Sequence, residues 1–252
     1  MTDMPLYGTA VLVTGASSGI GAATARAVSA LGADVALVAR RADRLAALAA
    51  ELAGRTLVVE ADISDRAAAE DAVARSVAQF GRLDTLVNNA GMMLLGPMQA
   101  APVEEWEQMI AVNLSGLLYC THAALPHLLS AAQDGRRGVA DLVNISSVAG
   151  RVARSGSGVY NATKHGVGAL SESLRQEVTE RHVRVGLIEP GAVATELSSH
   201  NRPEIRAGIS ARFATIERMV AEDIAAAIVF MITRPRHVAI NEMLIRPTEQ
   251  QG

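Results

Sequence analysis

Short runs dominated by Val, Leu and Ile recur down the chain at residues 10–13, 35–38, 57–59, 83–87, 142–145, 183–188 and 243–245. Each is apolar at nearly every position, as a strand covered on both faces must be. Between them stand Ala-rich or amphipathic segments of helical length, at 20–31, 45–52, 66–80, 103–118, 159–179 and 224–233. Strand and helix therefore alternate throughout. A chain patterned this way folds as an α/β protein, a doubly wound parallel sheet with helices on both faces and right-handed crossovers.

No Pro/Gly/Ser-rich linker, composition shift or short repeat divides the sequence, so residues 1–252 form one domain. Half the residues are hydrophobic but only 3% aromatic, which excludes disorder and requires a core of Ala, Val, Leu and Ile. A net charge of −3 lacks the electrostatic footprint of a nucleic-acid binder, and Arg136-Arg137 is too short a basic run to reverse that. From Met1 to Gly8 no basic region precedes an apolar run, and no uninterrupted stretch nears the about 18 apolar residues of a membrane span. The expectation is a cytoplasmic protein with neither nucleic acid nor membrane as partner. Cys120, the single cysteine, reads as a small core residue. Residues 196–219 are less regular and Arg-rich, a candidate mobile cover over a site.

After the first strand comes Thr14-Gly15-Ala16-Ser17-Ser18-Gly19-Ile20-Gly21, followed at once by a helix-like alanine run. Glycines let the main chain turn tightly and approach a ligand, and a helix start offers unpaired amides and a positive dipole end to phosphate. The spacing is G-x-x-x-G-x-G, which alone is also compatible with a merely tight connection. Residues 15–19 fit G-x-S-x-G as well, the nucleophile elbow of hydrolases. That reading fails on position, because the turn follows the first strand and no His-Gly-Gly-Gly stretch supplies an oxyanion hole. Past the second strand, where a dinucleotide fold that prefers NAD places Asp or Glu, stand Arg40 and Arg41. A guanidinium can bind a ribose 2′-phosphate bidentately, so this end favours NADP.

Tyr160-Asn161-Ala162-Thr163-Lys164 falls in an expected helix, where residues four apart share a face. An ammonium near a phenol favours phenolate and should draw the tyrosine down from its usual value toward a range suited to proton transfer. Lys164 is the only lysine among 23 basic residues, so something at this position excludes the guanidinium. At the end of the fifth strand Ser147 can either polarise a carbonyl oxygen or bond its own turn. Asn113, in the helix after Asn88-Asn89-Ala90-Gly91, either mends a bend or holds a water. Histidines and the lone cysteine form no metal-ligand pattern.

Taken together, T-G-A-S-S-G-I-G, N-N-A-G, Asn113, Ser147, Y-N-A-T-K and the stretch from Pro190 to Thr195 resemble the classical short-chain dehydrogenase/reductase family, in order and spacing, over essentially the whole chain. The resemblance implies a single-domain Rossmann fold with a seven-stranded parallel sheet, and a homo-oligomer, a tetramer or a dimer. It implies Tyr160 as general acid and base, Lys164 lowering its pKa and bonding the nicotinamide ribose, Ser147 holding the substrate oxygen, and Asn113 ordering a relay water. Cofactor contacts are implied for Gly15, Ser17, Ser18, Gly19, Ile20 and Gly21, and Arg40 is similar to the NADP-preferring branch. Asp62 and Ile63 are implied at the adenine, Asn89, Ala90 and Gly91 at the ribose, and Pro190, Gly191, Val193 and Thr195 toward the nicotinamide. Residues 92–97, 188–191 and 245–250 are similar to a subgroup with clavulanic acid dehydrogenase and NADP-dependent 3-hydroxy acid dehydrogenases.

The expected activity is NADPH-dependent reduction of a ketone or aldehyde, reversible to alcohol oxidation. Two rivals remain: a non-catalytic NADP-binding redox sensor, and an NAD-dependent hydroxysteroid or polyol dehydrogenase. Met92, Met93, residues 149–155 and the segment after Thr195 are expected to wall the substrate pocket. Arg151, Arg154, Arg202 and Arg206 either meet an acidic substrate or are simply solvated.

Overall fold

The computed structural model describes residues 4–251; Met1–Asp3 and Gly252, which the amino-terminal reading and the domain bounds 1–252 include, lie outside the described residues. The strands are β1 (Ala10–Thr14), β2 (Asp34–Ala39), β3 (Thr56–Glu60), β4 (Thr85–Asn88), β5 (Ala140–Ile145), β6 (Val183–Pro190) and β7 (Glu242–Ile245). They form one parallel sheet in the order β3-β2-β1-β4-β5-β6-β7. The expected doubly wound, seven-stranded Rossmann architecture is the one found.

Alternation along each strand divides the core between the two faces of the sheet. Val11 and Val13 of β1, with Val87, Val143 and Ile188, pack under α1 (Gly19–Ala30), α2 (Ala42–Glu51) and, further along the chain, the helix at Ala221–Ile232. Leu12, Leu86, Leu142 and Val185 point the other way, toward α3 (Arg66–Phe80) and the later helices at Leu117–Asp134 and Gly158–Val178. Helix α3 has the bounds its periodicity predicts. Asp65 starts it by accepting from the Ala68 amide at 2.8 Å, and Gly81, at φ 77°, ends it in the left-handed region. Cys120 is buried among Leu128, Ala124 and Leu142, and burial pushes its thiol up to about 12.

The helix expected at 103–118 continues much further. Helix α4 (Val103–Ile110) passes through a π-helical stretch, Ala111–Gly116, into α5 (Leu117–Asp134) without leaving helical geometry. Pro126 lies inside α5, where its missing amide and ring bulk normally stop a helix. Packing of Thr121, Ala124, Leu128 and Ala131 against the sheet overrides that local preference. By length and composition alone this continuous helix could cross a membrane, but its Cys120–Leu128 face is core.

The chain continues through α6 (Gly158–Val178) and β6 to residues 196–219, expected as an irregular cover. That segment holds a 3₁₀ turn, Glu196–His200, and a helix, α7 (Pro203–Arg212), begun by Pro203 in the first-turn position proline favours. Helix α8 (Ala221–Ile232) then returns to pack on α1. The sheet reverses direction of growth between β1 and β4, which opens a crevice at the carboxyl ends of these strands.

Candidate active site

A cleft of about 420 Å³ occupies that crevice, and nearly every residue singled out from the sequence lines it. One end is built by the β1–α1 turn. Gly15 sits at φ 65°, and a Cβ there would lie 2.8 Å from the Ala90 Cα, a backbone atom that cannot step aside. Gly19, at φ 51°, faces the Thr195 side chain, 3.1 Å from where its Cβ would be. Ser18 makes no side-chain cap to α1, so the first-turn amides are left to a ligand. Gly21 is different: it does not line the cleft, and its Cβ would strike the Gly15 carbonyl oxygen at 2.4 Å. Its role is to let helix and turn pack, not to touch a ligand.

Asn89 braces this turn. Its side-chain amide donates to the Thr14 and Gly15 carbonyls at 2.9 and 3.3 Å, while Thr14 Oγ1 accepts from the Asn89 and Ala90 amides at 3.0 Å each. Ala90 and Gly91 continue the wall. Beneath them lies a buried polar chain that sequence reading missed: Asn88 donates to Asn144 Oδ1 and Thr121 Oγ1, and Asn144 donates to Ser171 Oγ, all at 2.9 Å. These pairs tie β4, β5, α5 and α6 together under the cleft floor. Only the fold brings them within reach, since the shortest sequence separation among them is 27 residues.

Arg40 and Arg41 both reach the cleft but differ in engagement. Arg40 is mostly exposed and lies 3.9 Å from Asp62, whose Oδ1 accepts from the Ser64 amide and hydroxyl at 3.0 and 2.7 Å. Arg41 is clamped, donating from Nε and Nη2 to Ser17 Oγ at 3.1 and 2.9 Å and from Nη2 to Ser18 Oγ at 2.8 Å. Ile63 completes this end.

The other end holds the reactive side chains. Ser147, at the end of β5, accepts from the Ala149 amide at 3.1 Å and hydrogen-bonds Tyr160. Tyr160 is buried on α6 against Leu94 and Met109. Lys164, one helical turn on, is buried too; its Nζ donates to the Ile145 carbonyl at 2.9 Å and stands 5.9 Å from the centre of the Tyr160 ring.

The predicted depression of the tyrosine is not what this arrangement gives. Burial pushes the Tyr160 phenol up to about 12, with the Ser147 hydrogen bond pulling weakly the other way. The same burial brings the Lys164 ammonium down to about 8. Lys164 points one of its three ammonium N–H groups at a main-chain carbonyl, and burial is the larger influence on the phenol.

Asn113 lies behind the cleft wall, not on it. Its side chain closes a two-way pair with Met92, accepting from the amide at 2.7 Å and donating to the carbonyl at 2.8 Å, and also donates to Thr163 Oγ1 at 3.2 Å. It sits within the π-helical stretch, and its side chain bonds the segment after β4 and α6, not the backbone of its own helix. Pro190, Gly191, Val193 and Thr195 line the far wall. Gln250, which sequence reading missed, lines it too and accepts from the Ala192 amide at 2.8 Å.

Met92, Met93, Ala149 and Arg154 line the substrate end as expected, but the other three arginines do not. Arg151 bonds Glu189 at 2.6 Å and also Glu242, and Arg202 pairs with Glu105 and Glu204. The cationic lining comes instead from Arg154 with Arg212 and Arg218, none of which has an ion-pair partner among the described residues. Burial and the neighbouring Arg154 charge both lower the Arg212 pKa.

A family model described as short chain dehydrogenase matches residues 9–206. An uncharacterised oxidoreductase of Staphylococcus epidermidis is 35% identical over 236 residues, covering 94% of this chain and 96% of the relative. Among solved structures, a closed form of serine dehydrogenase complexed with NADP+ is 35% identical with a TM-score of 0.89, covering 97% of each chain. An alcohol dehydrogenase of Thermococcus sibiricus complexed with 5-hydroxy-NADP is 27% identical with a TM-score of 0.85, covering 97% of this chain and 98% of that one. With a matching family model over most of its length and the glycine turn, serine, tyrosine and lysine gathered on one cleft, the chain belongs to the short-chain dehydrogenase/reductase family of oxidoreductases.

Proposed function

We propose that the protein is an NADPH-dependent carbonyl reductase, reversibly a secondary-alcohol dehydrogenase. The observation that carries this reading is the convergence of Ser147, Tyr160 and Lys164 on one cleft whose other end is a glycine cradle flanked by arginines. Bound NADPH supplies the hydride. The residues fit such a dinucleotide: Gly15 and Gly19, both at positive φ and both lining the cleft, let the main chain turn tightly there, and the amides at the start of α1 suit a diphosphate. Arg40 and Arg41, in place of an acidic residue, suit a 2′-phosphate. Tyr160 donates a proton to the carbonyl oxygen that Ser147 holds, and Lys164 keeps a positive charge beneath the ribose end.

The pKa directions give a pH profile. Raised to about 12, Tyr160 keeps its proton at every working pH, so its ionisation does not limit reduction. Lowered to about 8, Lys164 loses its charge as pH rises through that value. Reductive kcat/KM is therefore expected to be flat on the acid side and to fall above about 8, while alcohol oxidation, which needs the phenolate, rises with pH. A reductive profile already falling well below that midpoint contradicts the assignment.

Unpaired Arg154 and Arg212 at the substrate end favour a substrate with an anionic group, and the serine dehydrogenase neighbour is named for an amino acid. The direct test is consumption of NADPH and, separately, NADH by purified protein across β-keto acids, their esters, aldehydes and diketones. Turnover that favours NADPH is expected, with acids ahead of matching esters by about tenfold or more. Tight NADPH binding with no turnover anywhere in the panel would favour the non-catalytic sensor.

A further inference from the structure

Glu196 follows Thr195 at the start of the 3₁₀ turn and reaches back across the cleft mouth to the turn between β2 and α2. Its carboxylate accepts from Arg41 Nη1 at 2.8 Å and from Arg44 Nη1 at 2.7 Å. Arg41 has already committed Nε and Nη2 to Ser17 and Ser18, so the Glu196 contact occupies the remaining edge of its guanidinium. An internal anion thus sits on an arginine at the end of β2, where a dinucleotide fold meets the adenosine ribose.

We propose that Glu196 competes with the 2′-phosphate of NADP for Arg41 and thereby sets how strongly the chain discriminates NADP from NAD, an inference that rests on the NADPH reading above. The side chains of Glu196, Arg41 and Arg44 are 44%, 40% and 45% exposed, so the pair is a weak, solvent-screened one that a stronger anion can displace. A phosphate carries nearly two charges and more acceptor oxygens, so it wins the exchange at a cost that falls on NADP alone. NAD has no group to place there and leaves Glu196 where it is. The bonds from Arg41 to Ser17 and Ser18 hold the guanidinium over the turn without Glu196, so removing the carboxylate frees Arg41 without releasing it from the turn.

Isothermal titration of the full chain and of Glu196→Gln with NADP+, NAD+ and adenosine 2′,5′-bisphosphate tests this without turnover. The variant is expected to bind NADP+ and the bisphosphate about three- to tenfold more tightly, with NAD+ changed by less than about twofold. The gain should shrink as salt is added. Glu196→Ala should move in the same direction. If both coenzymes shift together, or NADP+ weakens alone, Glu196 is a strap or a bracing residue and the proposal is overturned. Failure of the NADPH reading looks different: the unsubstituted chain itself would bind NADP+ no more tightly than NAD+.

Discussion

Tyr160→Phe is expected to lower turnover by about three orders of magnitude while coenzyme affinity stays within about twofold. The ring is packed against Leu94 and Met109 and gains nothing from its hydroxyl except the bond to Ser147, so phenylalanine fills the same space. What disappears is the proton that the reduced oxygen needs. Initial rates with saturating NADPH, set beside titration of the coenzyme, separate the two effects. Residual turnover above about a tenth of the original would remove Tyr160 from the reaction, since a general acid contributes at least about a hundredfold.

The second large effect is on stability and lies at the opposite end of the sheet. Asp141, buried at the start of β5, accepts from Arg184 Nε and Arg137 Nη2, both at 2.7 Å. Arg184 in turn donates to the carbonyls of Ile232, Arg234 and Val238 at 2.9, 3.0 and 2.8 Å, which holds the connection from α8 to β7 against the sheet. Removing the carboxylate leaves two guanidiniums buried or nearly so without their counter-charge. Asp141→Ala is expected to cost about 3–5 kcal/mol in denaturant unfolding, with activity per folded molecule unchanged. A loss below about 1 kcal/mol would mean that the main-chain carbonyls alone satisfy Arg184.

Local pattern made most of this molecule legible. Continuous apolar runs marked all seven strands: the five inner ones are buried nearly throughout and have no polar side to confuse the signal, while the edge strands β3 and β7 are apolar runs despite partial exposure. The glycine turn and the pair of Tyr160 and Lys164 were legible because their chemistry depends on short fixed spacings within one turn or one helix, whereas Ser147, on a different element, took its role only from the family resemblance. Where tertiary packing decided, the pattern was silent. Pro126 signals a stop, yet α5 runs through it because its apolar face is held by the sheet. Asn88, Asn144 and Ser171 read as unrelated polar residues until three elements bring them together.

The tyrosine shows the same limit in energetic form. Spacing correctly places Lys164 near Tyr160, but the sign of the pKa shift depends on burial, which spacing does not report. The arginines divide likewise: charge alone cannot distinguish Arg151, neutralised by Glu189, from Arg154, which has no such partner. Arg212 and Gln250 reach the cleft from segments distant in sequence, and neither carries a local motif.

The central claim is that this cleft moves hydride from NADPH to a carbonyl carbon. Incubating the protein with NADPH deuterated at the transferable position and the best carbonyl compound of the panel, then locating the label by mass spectrometry, tests it without inference from rates. The account predicts one deuterium on the carbinol carbon with the unsubstituted chain and none with Tyr160→Phe over the same interval. Tightly bound NADPH that surrenders no label to any carbonyl offered would contradict it.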